Sequence, residues 1–523
     1  MRAVYLMFDT LNRRHLECYG GTTVKTPNFN RLAERSVSFD NHYVGSLPCM
    51  PARREMHSGR YNFLHRSWGP LEPFDNSFVR MLGEQTDTYT HLVTDHAHYW
   101  EDGGLTYHPR YDSYELVRGQ AADQWKGVVE PPAKRWEEKY HPSQFNMERR
   151  HKNRLDMLNR DQATSYDQFP AVKTMTAGLE FLETNKGADN WFLHIETFDP
   201  HEPFIAPDHV KELYATEYEG RILDFPNYGP VRETPEEVRE INANYEATLA
   251  HCDIQLGRIL DFFDEHDLWK DTALIVSTDH GFLLGEHELW GKLIMPFYNE
   301  IAHIPLMIHH PDHASQAGER RSTLTQTIDL MPTILDMFGI EKPKEVQGHS
   351  LLPVLAEDPG LHGLREAGLF GQHGSSINVT DGRYVYLRYP PDMKAPTLYQ
   401  YTIMPTHIKS MFSVEELQDA TLAPPFNFTK GVPVLKVPST EKSPVYHRHG
   451  IGVQILCKTQ LFDLEKDPYQ LKAIDDPEIE GRMRRLMVDL MLDTDAPQEL
   501  YDRFDLRETL EKVRSAQAAP DLA

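Results

Sequence analysis

Cysteine is scarce. Cys18, Cys49, Cys252 and Cys457 are the four in 523 residues, widely spaced and without a C-x-x-C pair. That excludes a disulfide framework and a zinc ribbon, and lets each thiol be weighed singly. Basic residues are also in deficit: 54 Lys and Arg stand against 79 Asp and Glu, a formal net charge of −25. Neither nucleic acid nor an anionic membrane surface is an expected partner, since either would need a basic face. No apolar run reaches the ~18 residues of a membrane span. The opening residues through Thr10 lack the basic-then-apolar plan of a leader, so a cytoplasmic location is the expectation. Internal repeats and low-complexity tracts are missing too. With 40% hydrophobic, 11% aromatic and 25% charged residues, the chain reads as globular rather than disordered, collagenous or coiled-coil.

What is present is an alternation of apolar strands and amphipathic helices. Val4–Phe8, Trp191–Ile195 and Ala273–Ser277 are short apolar runs, each followed by polar residues. Thr26-Pro27-Asn28 opens a helical stretch through Leu32. Ile241, Tyr245, Leu249, Cys252, Leu256, Ile259 and Phe263 recur at helical spacing before the third strand. This pattern predicts an α/β fold with a large mixed, mostly parallel sheet flanked by helices. Residues 100–170 show little periodicity and many Trp, Tyr, His, Lys and Glu, as expected of an elaborated insertion shaping a pocket. Near residue 370 short alternating runs begin, such as Asp381–Tyr386. They predict a smaller C-terminal α+β domain with an antiparallel sheet, giving expected domains of 1–370 and 371–523.

Two predicted strands end in carboxylates, Asp9 and Asp279. Strand ends are where sites gather in α/β sheets, so both can converge on one cation, although each alone could simply cap a helix. Between them lies Cys49-Met50-Pro51-Ala52-Arg53, a C-x-P-x-R pentapeptide about 40 residues after Asp9. Thr278-Asp279-His280-Gly281, Trp290-Gly291-Lys292 and Asp199-Pro200-His201-Glu202-Pro203-Phe204 follow. Landmarks then continue through Asp329-Leu330-Met331-Pro332-Thr333 and Gln347-Gly348-His349 to Leu461–Pro468. This ordered series resembles the sulfatase family of the alkaline phosphatase superfamily.

The resemblance implies a sulfuric ester hydrolase in which Cys49 is converted by a formylglycine-generating maturation enzyme to Cα-formylglycine. One hydroxyl of its hydrate attacks sulfur, and the other later expels sulfate. It implies one divalent metal on Asp9, Cys49, Asp279 and His280, with Ca²⁺ expected first and Mn²⁺ or Mg²⁺ as alternatives. Arg53 and Lys292 would hold the hydrate and the anionic oxygens, and His201 would serve the leaving oxygen. The substrate would be a sulfated carbohydrate or an aryl or alkyl sulfate, and association with copies of the same chain is left open. Three positions depart from the family pattern. Thr10 stands where a second acid is common, so its place as a ligand is in doubt. His280 replaces a frequent Asn. Thr94–Trp100 lacks the usual lysine, for which His96 and His98, on one face of an extended segment, could substitute if protonated. The departures keep open a formylglycine-dependent phosphonate monoester hydrolase or phosphodiesterase and, more remotely, an inactive relative that only binds sulfated glycans.

Overall fold

Every residue of the strands Arg2–Phe8, Trp191–Thr197 and Thr272–Thr278 is buried, as required of strands covered on both faces. In this computed structural model, which describes residues 1–145, 150–447, 451 and 453–518, they form the centre of an eight-stranded sheet. Across the sheet the order is Arg320–Gln326, Val37–Tyr43, Leu306–His309, Thr272–Thr278, Arg2–Phe8, Trp191–Thr197, Tyr89–Thr94 and Ser113–Leu116. Leu306–His309 runs antiparallel to both neighbours, and the other pairs are parallel. The sheet is therefore mixed and mostly parallel, as the strand–helix alternation predicts.

The two-residue period of the first strand sorts its side chains between two cores. Val4, Leu6 and Phe8 pack with residues of the helices Pro27–Arg35, Pro170–Asn185 and Pro235–Glu265. Ala3, Tyr5 and Met7 pack on the opposite face with residues of Cys49–Ser58, Phe78–Thr86 and Leu330–Met337. The helix Pro235–Glu265 starts on a capping box between Thr234 and Glu237 with proline at its first position, which satisfies its leading N–H groups. All seven residues of its predicted apolar stripe, Ile241 to Phe263, are buried. Each buried leucine or isoleucine in such a stripe contributes about 1.5–3 kcal/mol.

The segment 100–170 holds more regular structure than its composition suggests. Ser113–Leu116 adds an edge strand to the main sheet, and Ala133–Lys139 and Arg150–Arg160 are helices. Its link to the strand ends is polar: Gln120 donates from Nε2 to Asp199 Oδ1 at 2.6 Å. Beyond it, Gly368–Gln372, Ser376–Thr380, Tyr384–Arg388 and Gln460–Asp463 form an antiparallel sheet. Ile377, Val379 and Tyr386 of this sheet share a core with Met483, Met487, Met491 and Leu510, and with Tyr61 and Phe63 from the earlier chain. The sheet's first strand also reaches the loop before Cys49. Leu47 donates its N–H to Gly371 O, and Gly371 donates to Gly45 O, each at 2.8 Å. No helix among the described residues is long and apolar enough to cross a membrane.

The fold buries many imidazoles in their neutral form. Burial holds His42, His57, His65 and His251 down at about 3 and His373 at about 4, against 6.5 in the unfolded chain. Between these values the unfolded chain binds more protons than the folded one, so stability rises with pH there. The contribution is complete above pH 6.5 and lost progressively below it. The urea midpoint is expected to fall steeply from pH 6.5 to pH 5. A midpoint unchanged over that interval, measured by intrinsic fluorescence, contradicts this account.

Candidate active site

Sheet register brings the functional ends together. Phe8 pairs with both Thr197 and Thr278, so the residues after these strands emerge at one level. Thr10 turns the chain out of its strand with φ at 65°, in the left-handed region, and its N–H donates to Asp279 Oδ1 at 3.1 Å. On the other side of Asp279, the His280 N–H donates to the same oxygen at 2.9 Å. Gly281 lies against backbone: a β-carbon there would sit 2.0 Å from Glu300 O, so only glycine lets this loop close. Cys49 is the first residue of the helix Cys49–Ser58, whose positive end favours an anion in front of it.

Arg53, one turn further along that helix, is fully buried and organises the floor. It donates from Nε to Glu196 Oε1, from Nη1 to Asp279 Oδ2 and from Nη2 to Asp9 Oδ2, each at 2.7 Å. Tyr99 donates to the other oxygen of Glu196 at 2.6 Å. Three carboxylates buried without this guanidinium would face one another uncompensated. Burial would push the Asp9 carboxyl up. Arg53, then His96 and Lys292, outweigh burial and hold it well below its ordinary value. Arg53 is expected from the sequence to grip the hydrate and the anionic oxygens. In the structure its hydrogen bonds go to these three carboxylates.

Cys49 Sγ lies 3.2 Å from His280 Nε2. His280 donates its Nδ1–H to Gly281 O at 2.9 Å, which leaves Nε2 with a lone pair toward the cysteine. One atom each from Asp9, Cys49, Asp279 and His280 fall within 4.8 Å of one another, and all four residues are buried. Two carboxylates and an imidazole lone pair converging in a buried space fit a divalent cation. Sγ here marks the place that an oxygen of the converted side chain would take. Burial pushes the thiol itself well above its ordinary pKa, so as a thiol it is not a nucleophile near neutrality.

The other predicted residues surround this point. Lys292 donates from Nζ to Thr10 Oγ1 at 2.6 Å, and Thr10 donates to Asp9 Oδ1 at 2.6 Å. Thr10 thus links a cation to a candidate ligand. Burial would lower the Lys292 pKa, but Glu202, Cys49 and Asp9 outweigh it and keep the ammonium charged. His201 stacks on Phe198 at 3.9 Å, and its Nδ1 lies 2.5 Å from Glu202 O. Burial, then Lys292, pushes His201 well below its ordinary value.

His96 and His98 do not form the extended pair expected of them. Ala97–Trp100 is a tight helical turn capped by His96, whose Nδ1 accepts from the His98 N–H at 3.3 Å. The rings still lie 5.0 Å apart, but His96 turns inward, with Nε2 3.3 Å from Asp9 Oδ2, while His98 pairs with Glu101 at 2.6 Å. Burial, then Arg53, holds His96 well below 6.5, and burial, then Lys409, brings His98 to about 4. Neither brings the positive charge expected in place of the missing lysine. Four residues of the site escape sequence reasoning: Glu196, Tyr99, Glu202 and Tyr228. Of these, Glu202 and Tyr99 had a signal, their places directly after His201 and His98.

The sulfatase family model matches residues 2–340, and the C-terminal model of N-sulphoglucosamine sulphohydrolase matches residues 285–423. The chain is 29% identical over 387 residues to the multifunctional alkaline phosphatase superfamily protein PehA of Trinickia caryophylli, covering 64% of this chain and 72% of that one. It is 24% identical to the N-acetylglucosamine-6-O-sulfatase of Bacteroides thetaiotaomicron, covering 68% and 71%. Among solved structures, BT4656 in complex with D-glucosamine-2-N,6-O-disulfate superposes with a TM-score of 0.62 at 15% identity, over 95% of this chain and 99% of that one. The phosphonate monoester hydrolase of Agrobacterium radiobacter does so at 0.60 and 19%, over 100% and 97%. These likenesses establish the alkaline-phosphatase-like fold.

Replacing Arg53 by Met leaves three buried carboxylates without their cation. It is expected to lower the unfolding free energy by about 3–5 kcal/mol, read by urea denaturation at pH 7. Arg53→Lys should recover only part of this, because an ammonium cannot fork between three acids. Wild-type stability in Arg53→Met would remove Arg53 from its place as organiser of the floor.

Proposed function

The chain belongs to the sulfatase family, and we propose that it hydrolyses the sulfate monoester of a saccharide through a formylglycine made from Cys49. Hydrolysis of sulfuric esters is its enzyme class. The observation that carries the specific proposal is the convergence of Asp9, Cys49, Asp279 and His280 at one buried point, beside Lys292. The saccharide is supported by relatives whose names and bound substrates are aminosugar sulfates.

Each residue then has a defined task. The converted Cys49 would supply a hydrate whose hydroxyl adds to sulfur, a chemistry the thiol lacks, and a maturation enzyme must perform the conversion. A divalent ion on the four donors, Ca²⁺ in this proposal and Mn²⁺ as the alternative favoured by His280, would lower the hydrate's pKa and draw charge from the sulfuryl oxygens. Asp9 is kept ionised by Arg53, which also aims Asp279, and Asp279 is fixed further by the Thr10 and His280 N–H groups. Lys292, anchored on Thr10, offers an ammonium to the anionic oxygens. His201 donates its Nδ1–H toward Glu202 O, which leaves Nε2 free to take the proton that the hydrate hydroxyl loses and pass it to the leaving oxygen.

Hydrolysis of phosphonate monoesters or phosphodiesters by the same residues is the second reading. It is favoured by His280 at the metal and by the absence of a lysine from Thr94–Trp100, which lessens the grip on sulfate.

Mass spectrometry of the Cys49 peptide, from protein coexpressed with a formylglycine-generating enzyme, is expected to show a loss of ~18 Da, the change from CH₂SH to the aldehyde this chemistry requires. Cys49→Ala should lower turnover on the order of a thousandfold or more. An unmodified Cys49 in an active enzyme would overturn the proposal. Comparing kcat/KM for sulfated aminosugars, 4-nitrophenyl sulfate and a phenyl phosphonate monoester separates the two readings. A phosphonate preference of several orders of magnitude selects the second.

A further inference from the structure

Glu202 is a buried acid that the chemistry above does not use. Its side chain is 4% exposed, and its Oε1 accepts a hydrogen bond from the Tyr228 hydroxyl. Oε2 has no hydrogen-bond partner, yet it lies 3.2 Å from His201 Nδ1 and 3.6 Å from Lys292 Nζ. A carboxylate oxygen buried without a donor is costly, so its position calls for a reason. Lys292, which Oε2 faces, is itself bonded to Thr10 and through it to Asp9, so the Glu202–Tyr228 pair stands beside the converging donors.

The fixed charges of the site give that reason. Arg53 and Lys292 are its cations; Asp9, Asp279, Glu196 and Glu202 are its carboxylates. Glu202 is the acid of the four that neither Arg53 nor the converging donors engage. It therefore sets how much negative charge a ligand can bring beside Lys292.

We propose that Glu202, held by Tyr228, is a specificity-determining residue that restricts the site to singly charged esters and excludes doubly charged ones. Sulfate monoesters and phosphodiesters carry one negative charge. Phosphate monoesters carry two above their second pKa of about 6. A second charge placed near Lys292 meets the Glu202 carboxylate at a separation of a few ångströms in a dry site, where repulsion is strong. The same carboxylate leaves Lys292 enough net attraction for one anionic oxygen set, but little for more.

The inference rests on the proposed ester site but is tested by binding, so it can be judged separately from turnover. Metal-loaded Cys49→Ala protein is titrated calorimetrically at pH 8 with phenyl sulfate, phenyl methyl phosphate and phenyl phosphate, which share a ring and differ in charge. The two monoanions are expected to bind at least about tenfold more tightly than the dianion. Adding Glu202→Gln should narrow that gap about tenfold or more, whereas Glu202→Asp should keep most of it. A purely structural role would weaken all three ligands alike. Equal binding of monoanions and dianion by the Cys49→Ala parent overturns the proposal even if the Gln variant does not fold. So do an unchanged gap in Glu202→Gln and a failure of all three ligands to bind. Absence of sulfatase turnover in wild type, with the charge gap intact, would instead count against the reaction proposed and leave the charge filter standing.

Discussion

One guanidinium holds this site together. Arg53 leaves the helix that begins at Cys49 and reaches Asp9, Asp279 and Glu196, which lie at or next to the ends of the three central strands. Helix and strands are thereby locked into one geometry, and the acids that would hold a cation are spaced before it arrives. The cost of burying so many charges is offset only because each carboxylate on the floor has Arg53 or a second donor in place. Tyr99 completes Glu196, the Thr10 and His280 N–H groups complete Asp279, and the Thr10 hydroxyl completes Asp9. Removing the centre of such a network disturbs every member.

Strand-end chemistry was legible in the sequence wherever the chain itself supplied a contrast. Asp9 and Asp279 each close an apolar run, and Cys49 and Arg53 sit in a short proline-bearing stretch whose family resemblance is specific in series. Glu196 was hidden for a physical reason. It belongs to a strand buried on both faces, where alternation disappears and an acid reads as the end of the run. Glu202 and Tyr228 are 26 positions apart and meet only through the fold. The conformation of His96 and His98 also depended on the residues after them. Ala97–Trp100 coils into a turn, with Tyr99 buried on Glu196, so spacing alone could not orient two histidines. The edge strand Ser113–Leu116 gave no periodic signal because backbone pairing, with little side-chain burial, makes it.

The excess of acids over bases acquires a local meaning at this site. Far from the cleft, surface carboxylates are screened over a Debye length of about 8 Å at physiological ionic strength. Inside it there is no such screening, and the balance is set by a handful of residues whose protonation is fixed by burial. Burial presses the four histidines toward neutrality, while Lys292 stays charged because Glu202 and the acids near it outweigh the same burial. The selectivity of such a cleft depends on charge count as much as on shape.

The pairing of Gly371 with Gly45 and Leu47 has a consequence for how the chain can be divided. The two residues it ties down lie just before Pro48, the residue that leads into Cys49. Glu55 reaches back to the same loop, accepting from the Ser46 N–H at 2.5 Å, and fits only because Gly45 has no side chain in its way. A fragment ending near residue 370 would keep every proposed ligand and still lose this splint. It would leave a carbonyl and an N–H unpaired beside the nucleophile. The residues that perform the chemistry are all encoded early, but the rigidity of the segment that presents Cys49 is borrowed from a strand more than 300 positions later. Truncation would cut the chemistry off from its support without deleting any of it.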